Sequence, residues 1–193
     1  MFRSTKRAES SVARTQSRQK MFNRIVLVAI LVVTVAITAY AFTRSTSVPL
    51  PPYLDRCIPL TGSYVYRSTP QLLLNISGID QTVPANIGVA GSCIRPIFTL
   101  SATGVIHIVT DQDRNYTLGD FFLVWGNSYG PDFAKFNQNQ IFSNPTGNGH
   151  SLAMDVCIGS PPSCVPNHDF QNYVFPRNAN TTLNPTIIFI TYL

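Results

Sequence analysis

"SATGVIHIVTDQDRNYTLGDFF", residues 101–122, is the stretch on which the fold turns. "GVIHIV" is a dense β-branched run with alternate faces, Val105, His107 and Val109 on one and Ile106 and Ile108 on the other, and it predicts a strand. "DQDRN" supplies a turn. "YTLGDFFLVWG" (116–126) then opens a helix, with Thr117 as N-cap and Asp120 three residues on completing a capping box. Gly126 is the expected helix end. Phe121, Phe122, Val124 and Trp125 give that helix a bulky surface, read as core in preference to a contact patch. The one imidazole in the stretch, His107, is either a ligand or proton shuttle or an architectural residue at the edge of the core.

Outward from this stretch, "QLLLNISGIDQTVPANIG" (71–88) reads as a strand, a turn at Gly78, a second short strand and a loop. Residues 126–150 are rich in Asn and Gly and read as an irregular loop. "TIIFITY" (186–192) is a closing strand. Short strands around one helix predict a small α+β domain with a mixed sheet, a β-grasp-like arrangement being one candidate. No internal repeat or coiled-coil heptad is present.

The chain has 193 residues and a formal net charge of +5, unevenly placed. Residues 1–24 hold seven basic side chains against Glu9 alone, a basic cytoplasmic tail, whereas the remainder holds seven basic and eight acidic residues. The cationic character belongs to the tail, so the composition gives no nucleic-acid interface. "IVLVAILVVTVAITAYAF" (25–42) follows without a charge; as a helix it rises about 27 Å, close to the hydrocarbon thickness of a bilayer. With the basic flank retained in the cytoplasm, a single transmembrane helix places the C-terminal portion outside. The alternative is a cleaved signal peptide ending near "AYA" at 39–41; both export the domain. "TRSTSVPLPPYLDR" (43–56) reads as a Pro/Ser/Thr-rich stalk, and residues 57–193 as the extracytoplasmic domain.

All four cysteines, Cys57, Cys93, Cys157 and Cys164, follow the apolar segment, as a disulfide-containing exported domain requires. Three connectivities are open; the Pro-Pro turn in "CIGSPPSC" favours Cys157–Cys164, leaving Cys57 with Cys93. Their spacing argues against zinc. Sequons at Asn75, Asn115 and Asn180 are candidate glycosylation sites.

The pieces "VPANIG" (83–88), "GVIHI" (104–108), "YTLGDFF" (116–122) and "NYVF" with "TIIFITY" (172–192) resemble, in order, a widespread prokaryotic and largely archaeal family of membrane-anchored or exported domains of uncharacterised function. Members of that family carry an Ile-Pro-Ala-x-Ile-Gly motif, a His-Thr-His-Asp run, a Ser-Gly-Val-Ile-His-Ile-Glu strand and a Phe-Thr-Leu-Gly-x-Phe-Phe helix start. The resemblance spans most of residues 72–192. Its departures are specific: Phe98-Thr99-Leu100-Ser101 stands in place of His-Thr-His-Asp, Val109 in place of the glutamate, and "YVYRS" (64–68) where relatives often have further histidines. Of the imidazoles that would build a metal site in relatives, His107 alone matches, and one ligand does not hold a transition metal.

His150 and His168 lie in expected loops near Asp155 and Asp169 and complete the alternative set His107, His150, His168 for copper or zinc. "Asp111-Gln112-Asp113" lacks the glycine and glutamate of a calcium loop; "GNSYG" and "GNG" lack the Lys-Ser/Thr of a phosphate loop; no G-x-S-x-G elbow occurs. The function expected is that of a non-catalytic accessory or structural subunit, without a cofactor, whose partners are the lipid bilayer and other membrane or envelope proteins, a membrane enzyme complex being one setting. The alternatives are copper binding or delivery by an exported domain, and third a hydrolase acting on a polysaccharide or peptide.

Overall fold

The computed structural model describes residues 47–59, 63–180 and 182–193, together with the single positions Val26, Val32 and Val33. The chain divides into two compact units, Met1–Ser45 and Thr46–Leu193, and the fold below is that of the second. The expected membrane span 25–42 lies, apart from those three positions, outside the described residues. No helix among the described residues is long and apolar enough to cross a membrane.

The strands run β1 Tyr66–Ser68, β2 Gln71–Ile76, β3 Ile79–Gln81, β4 Val89–Ala90, β5 Cys93–Ile94, β6 Ile97–Phe98 and β7 His107–Thr110. After the helix α1, Leu118–Tyr129, come β8 Phe136–Asn137, β9 Gln140–Ile141, β10 Asn144–Pro145, β11 Leu152–Ile158, β12 Ser163–Pro166 and β13 Thr186–Tyr192. The main sheet has the order β12-β11-β13-β2-β3. Its central pair, β2 and β13, is parallel, and the β2–β3 and β11–β12 hairpins flank it. This is an α+β domain with a mixed sheet and one helix.

Alternation explains which face of the sheet is buried. Ile188, Ile190 and Tyr192 of β13 and Leu72 and Leu74 of β2 point inward, where they join Phe121, Phe122 and Trp125 of α1 in one apolar cluster. The helix begins where its capping chemistry directs: Thr117 Oγ1 accepts from the Asp120 amide and Asp120 Oδ2 accepts from the Thr117 amide. Asp120 also accepts a hydrogen bond from Tyr53 Oη at 2.8 Å.

Three expectations are corrected. The helix does not end at Gly126 but at Tyr129, with Gly130 as its cap at φ +116°. Gly126 serves packing instead, because a Cβ there would lie 2.4 Å from Ala134 Cβ. Residues 126–150 are not irregular throughout: a 3-10 helix, Pro131–Ala134, leads into the three-stranded meander β10-β9-β8. Stacked rings hold this segment to the helix, with Phe136 4.3 Å from Phe122 and Phe133 5.4 Å from Trp125. The described part of the expected stalk, from residue 47 to 56, packs on the domain. Leu54 is fully buried, Leu50 and Tyr53 pack against the core, and Asn127 Nδ2 donates to Val48 O. The packed domain therefore begins well before Cys57.

Cys57 pairs with Cys93, and Cys157 with Cys164 across the β11–β12 hairpin. Two disulfides and no free cysteine among the described residues fit an oxidising, extracytoplasmic compartment.

Candidate functional site

A second sheet, β1-β7-β6, carries an open concavity. Its register sets Arg67 opposite Val109 and Phe98 opposite His107. Because His107 and Val109 are two apart on β7, all four side chains share one face. The other face, with Ile97, Ile106 and Ile108, is in the core. The shared face is the floor of an open groove of about 340 Å³, walled by Ile58, Tyr64, Ile94 and Leu100. The Cys57–Cys93 disulfide adjoins that wall, and the Ile58 amide donates to Ile94 O at 2.7 Å. The loop that carries Ile58 is thereby tied to β5.

The three histidines of the alternative metal set, His107, His150 and His168, do not come together. Among the described residues no group of three or more His, Cys, Asp or Glu side chains comes together. His107 stacks on Phe98, ring centroids 5.1 Å apart and planes 15° from parallel. Desolvation in this half-buried position lowers its pKa from the ordinary 6.5. His150 instead lies on the Tyr192 ring, with Nδ1 3.1 Å from Leu193 O, and His168 is exposed in the loop after β12.

Several of the residues singled out in the sequence line the groove; Ser101 does not. Phe98, Leu100 and Val109 line the groove beside His107, as do Tyr64, Arg67 and Ser68 of "YVYRS". Sequence reasoning marked each as a departure without bringing them together, because contact between β1, β6 and β7 is a property of topology. Gly88 of "VPANIG" has a backbone role: at φ +72° a Cβ would lie 2.3 Å from Ile97 O.

The polar groups of this face divide into spent and unspent. Tyr64 Oη donates to Pro59 O at 2.7 Å, and Ser68 Oγ donates to Pro176 O. Arg67 places its guanidinium 4.4 Å over the Tyr64 ring and forms no ion pair among the described residues, unlike Arg56, Arg95, Lys135 and Arg177. Neither nitrogen of His107 is hydrogen-bonded to a described residue.

The remaining candidates make contacts within their own chain. Asp111 is paired with Arg56 and Asp113 with Arg177, so this acidic turn is tied down by cations of its own chain. Asn115 Oδ1 accepts from the same Arg177, and Asn180 Oδ1 accepts from the amides of Thr182 and Leu183. Asn75 Nδ2 donates to Asp80 Oδ1 at 2.7 Å. Phe121, Phe122 and Trp125 are buried and offer no contact surface.

The outward face of the main sheet is the second feature of note. Leu73 and Phe189 are opposite each other across β2–β13, with Ile187 on the same face. Phe189 is 38 % exposed. Asp155 stands opposite Phe189 on β11 and has no ion pair among the described residues. Asp80 closes the other side, opposite Asn75.

Comparison with family models, with curated proteins and with solved structures returns no match. The chemistry of both faces rests on the residues themselves.

Proposed function

We propose that this chain is a single-pass membrane protein whose extracytoplasmic domain is a non-catalytic accessory subunit, docked on another protein of the envelope. The observation that carries the reading is the outward face of the main sheet. The stripe Leu73, Phe189 and Ile187 runs across its central parallel pair and is bordered by Asp155 and Asp80. Exposed apolar side chains rimmed by polar ones mark interaction surfaces. The acidic rim matches a partner whose apolar patch is flanked by Lys or Arg, because opposed charges at a rim steer encounter and fix register. The uncharged run 25–42 behind a cationic tail supports the anchor, and the two disulfides support export.

The strand order supports the β-grasp-like reading. A parallel central pair made by an early and the last strand, flanked by two hairpins with the one helix between them in sequence, is the pattern that reading requires.

Asn75 stands at one end of the stripe, opposite Thr191, so docking requires that this sequon be unmodified, which mass spectrometry of the native protein reads. The test of the function is native electrophoresis of gently solubilised membranes. The wild-type chain is expected in a larger complex and Phe189→Asp as a free chain of unchanged fold; a wild-type chain that migrates as a monomer overturns the reading.

A further inference from the structure

We propose that the groove on the β1-β7-β6 sheet binds a small aryl or acyl carboxylate, the anion held by Arg67 and His107 and the apolar body lying against Phe98, Leu100, Ile58 and Ile94. This goes beyond the docking role, which uses the other sheet.

Charge selects an anion. Arg67 lines the groove with its guanidinium over Tyr64 and no carboxylate partner, and no acidic side chain lines the groove with it. Its planar fork suits a carboxylate bidentately. His107 is the diagonal neighbour of Arg67 across β1–β7, a separation of roughly 7–8 Å that long side chains bridge. Both groups line the groove, and neither is hydrogen-bonded or ion-paired to another described residue through its side chain. An N–H of the neutral imidazole suffices to donate.

The rest of the groove selects an apolar body. Phe98 and His107 form a flat stacked pair, and apolar side chains make the walls. The volume of about 340 Å³ lies at the lower end of the roughly 300–1,000 Å³ of small-molecule sites. A peptide fits less well. Its backbone amides and carbonyls would be desolvated against apolar walls, with Ser68 and Tyr64 already committed to carbonyls of their own chain. The disulfide-tied loop carrying Ile58 keeps one wall in place without the ligand, which limits the ordering cost of binding.

The test is calorimetric titration of the full chain in detergent micelles with 3-phenylpropionate, protein-free micelles giving the partitioning heat. Saturation at one acid per chain is expected. Neutral 3-phenylpropionamide should bind at least about tenfold more weakly, as loss of charge-assisted hydrogen bonds implies. Arg67→Gln, an exposed change that leaves the core intact, should bring the acid down to the level of the amide. Equal binding of acid and amide, full binding by Arg67→Gln, or no saturable heat overturns the assignment. So does saturation by an acetylated apolar–acidic hexapeptide where the acid fails, which makes the groove a peptide site.

Discussion

His107 sits in an apolar strand and stacks on the ring opposite it, Phe98. Its position within the motif was legible in the sequence, and so was its presence on the same face as Val109, because period two follows from strand geometry. Its partner was not legible, since register between β6 and β7 depends on a hairpin whose turn the sequence leaves open. The site has a pH signature. Burial lowers the His107 pKa from 6.5, so between that lowered value and 6.5 the unfolded chain binds more protons than the folded one. The corresponding stability is complete above 6.5 and is lost as pH falls through that window. Denaturant melts at about pH 7.5 and about pH 5, either side of the ordinary histidine value, are expected to show a larger acid loss for the wild type than for His107→Gln. Equal losses contradict the assignment.

At the scale of elements, what local chemistry dictates was readable and what packing dictates was not. The capping box of Thr117 and Asp120 uses four consecutive residues and appears where the sequence places it. β13 coincides with "TIIFITY". Gly126 misleads because glycine signals a helix end, yet here it admits Ala134 against the helix. Gly126→Ala tests this directly. Removing a mid-helix glycine gains about 1 kcal/mol of helix propensity, but overpacking against backbone costs about 1–3 kcal/mol. With Ala134 Cβ at 2.4 Å and its amide nitrogen at 2.7 Å the clash prevails, so a lower melting temperature is expected; an increase refutes the packing role. The β8–β10 meander escaped detection because its strands are two residues each, too short for a period to show. Prolines at 49, 51 and 52 gave the stretch before Cys57 the look of a spacer, whereas Leu54 is fully buried.

Across the whole molecule, two disulfides brace a domain with one apolar cluster. They differ in the chain they close, 36 residues for Cys57–Cys93 and 7 for Cys157–Cys164. Loop-closure entropy then assigns about 4 kcal/mol to the first and about 2 kcal/mol to the second. Replacing Cys57 and Cys93 together by Ser should lower stability more than replacing Cys157 and Cys164, as denaturant titration measures; the reverse order contradicts the chain-entropy account. The long bridge also adjoins the groove wall, so its loss should weaken 3-phenylpropionate binding while the short bridge leaves it unchanged. The proposed docking role rests on the outward face of the main sheet, where Phe189 is exposed and Leu73 and Ile187 are partly exposed. The most direct measurement is site-specific photo-crosslinking in intact membranes, with the reactive residue at position 189 and a control at the exposed Leu183. The account predicts one discrete heterologous adduct from position 189, absent from position 183 and suppressed by Asp155→Lys. No adduct at 189, or the same adducts from both positions, contradicts it.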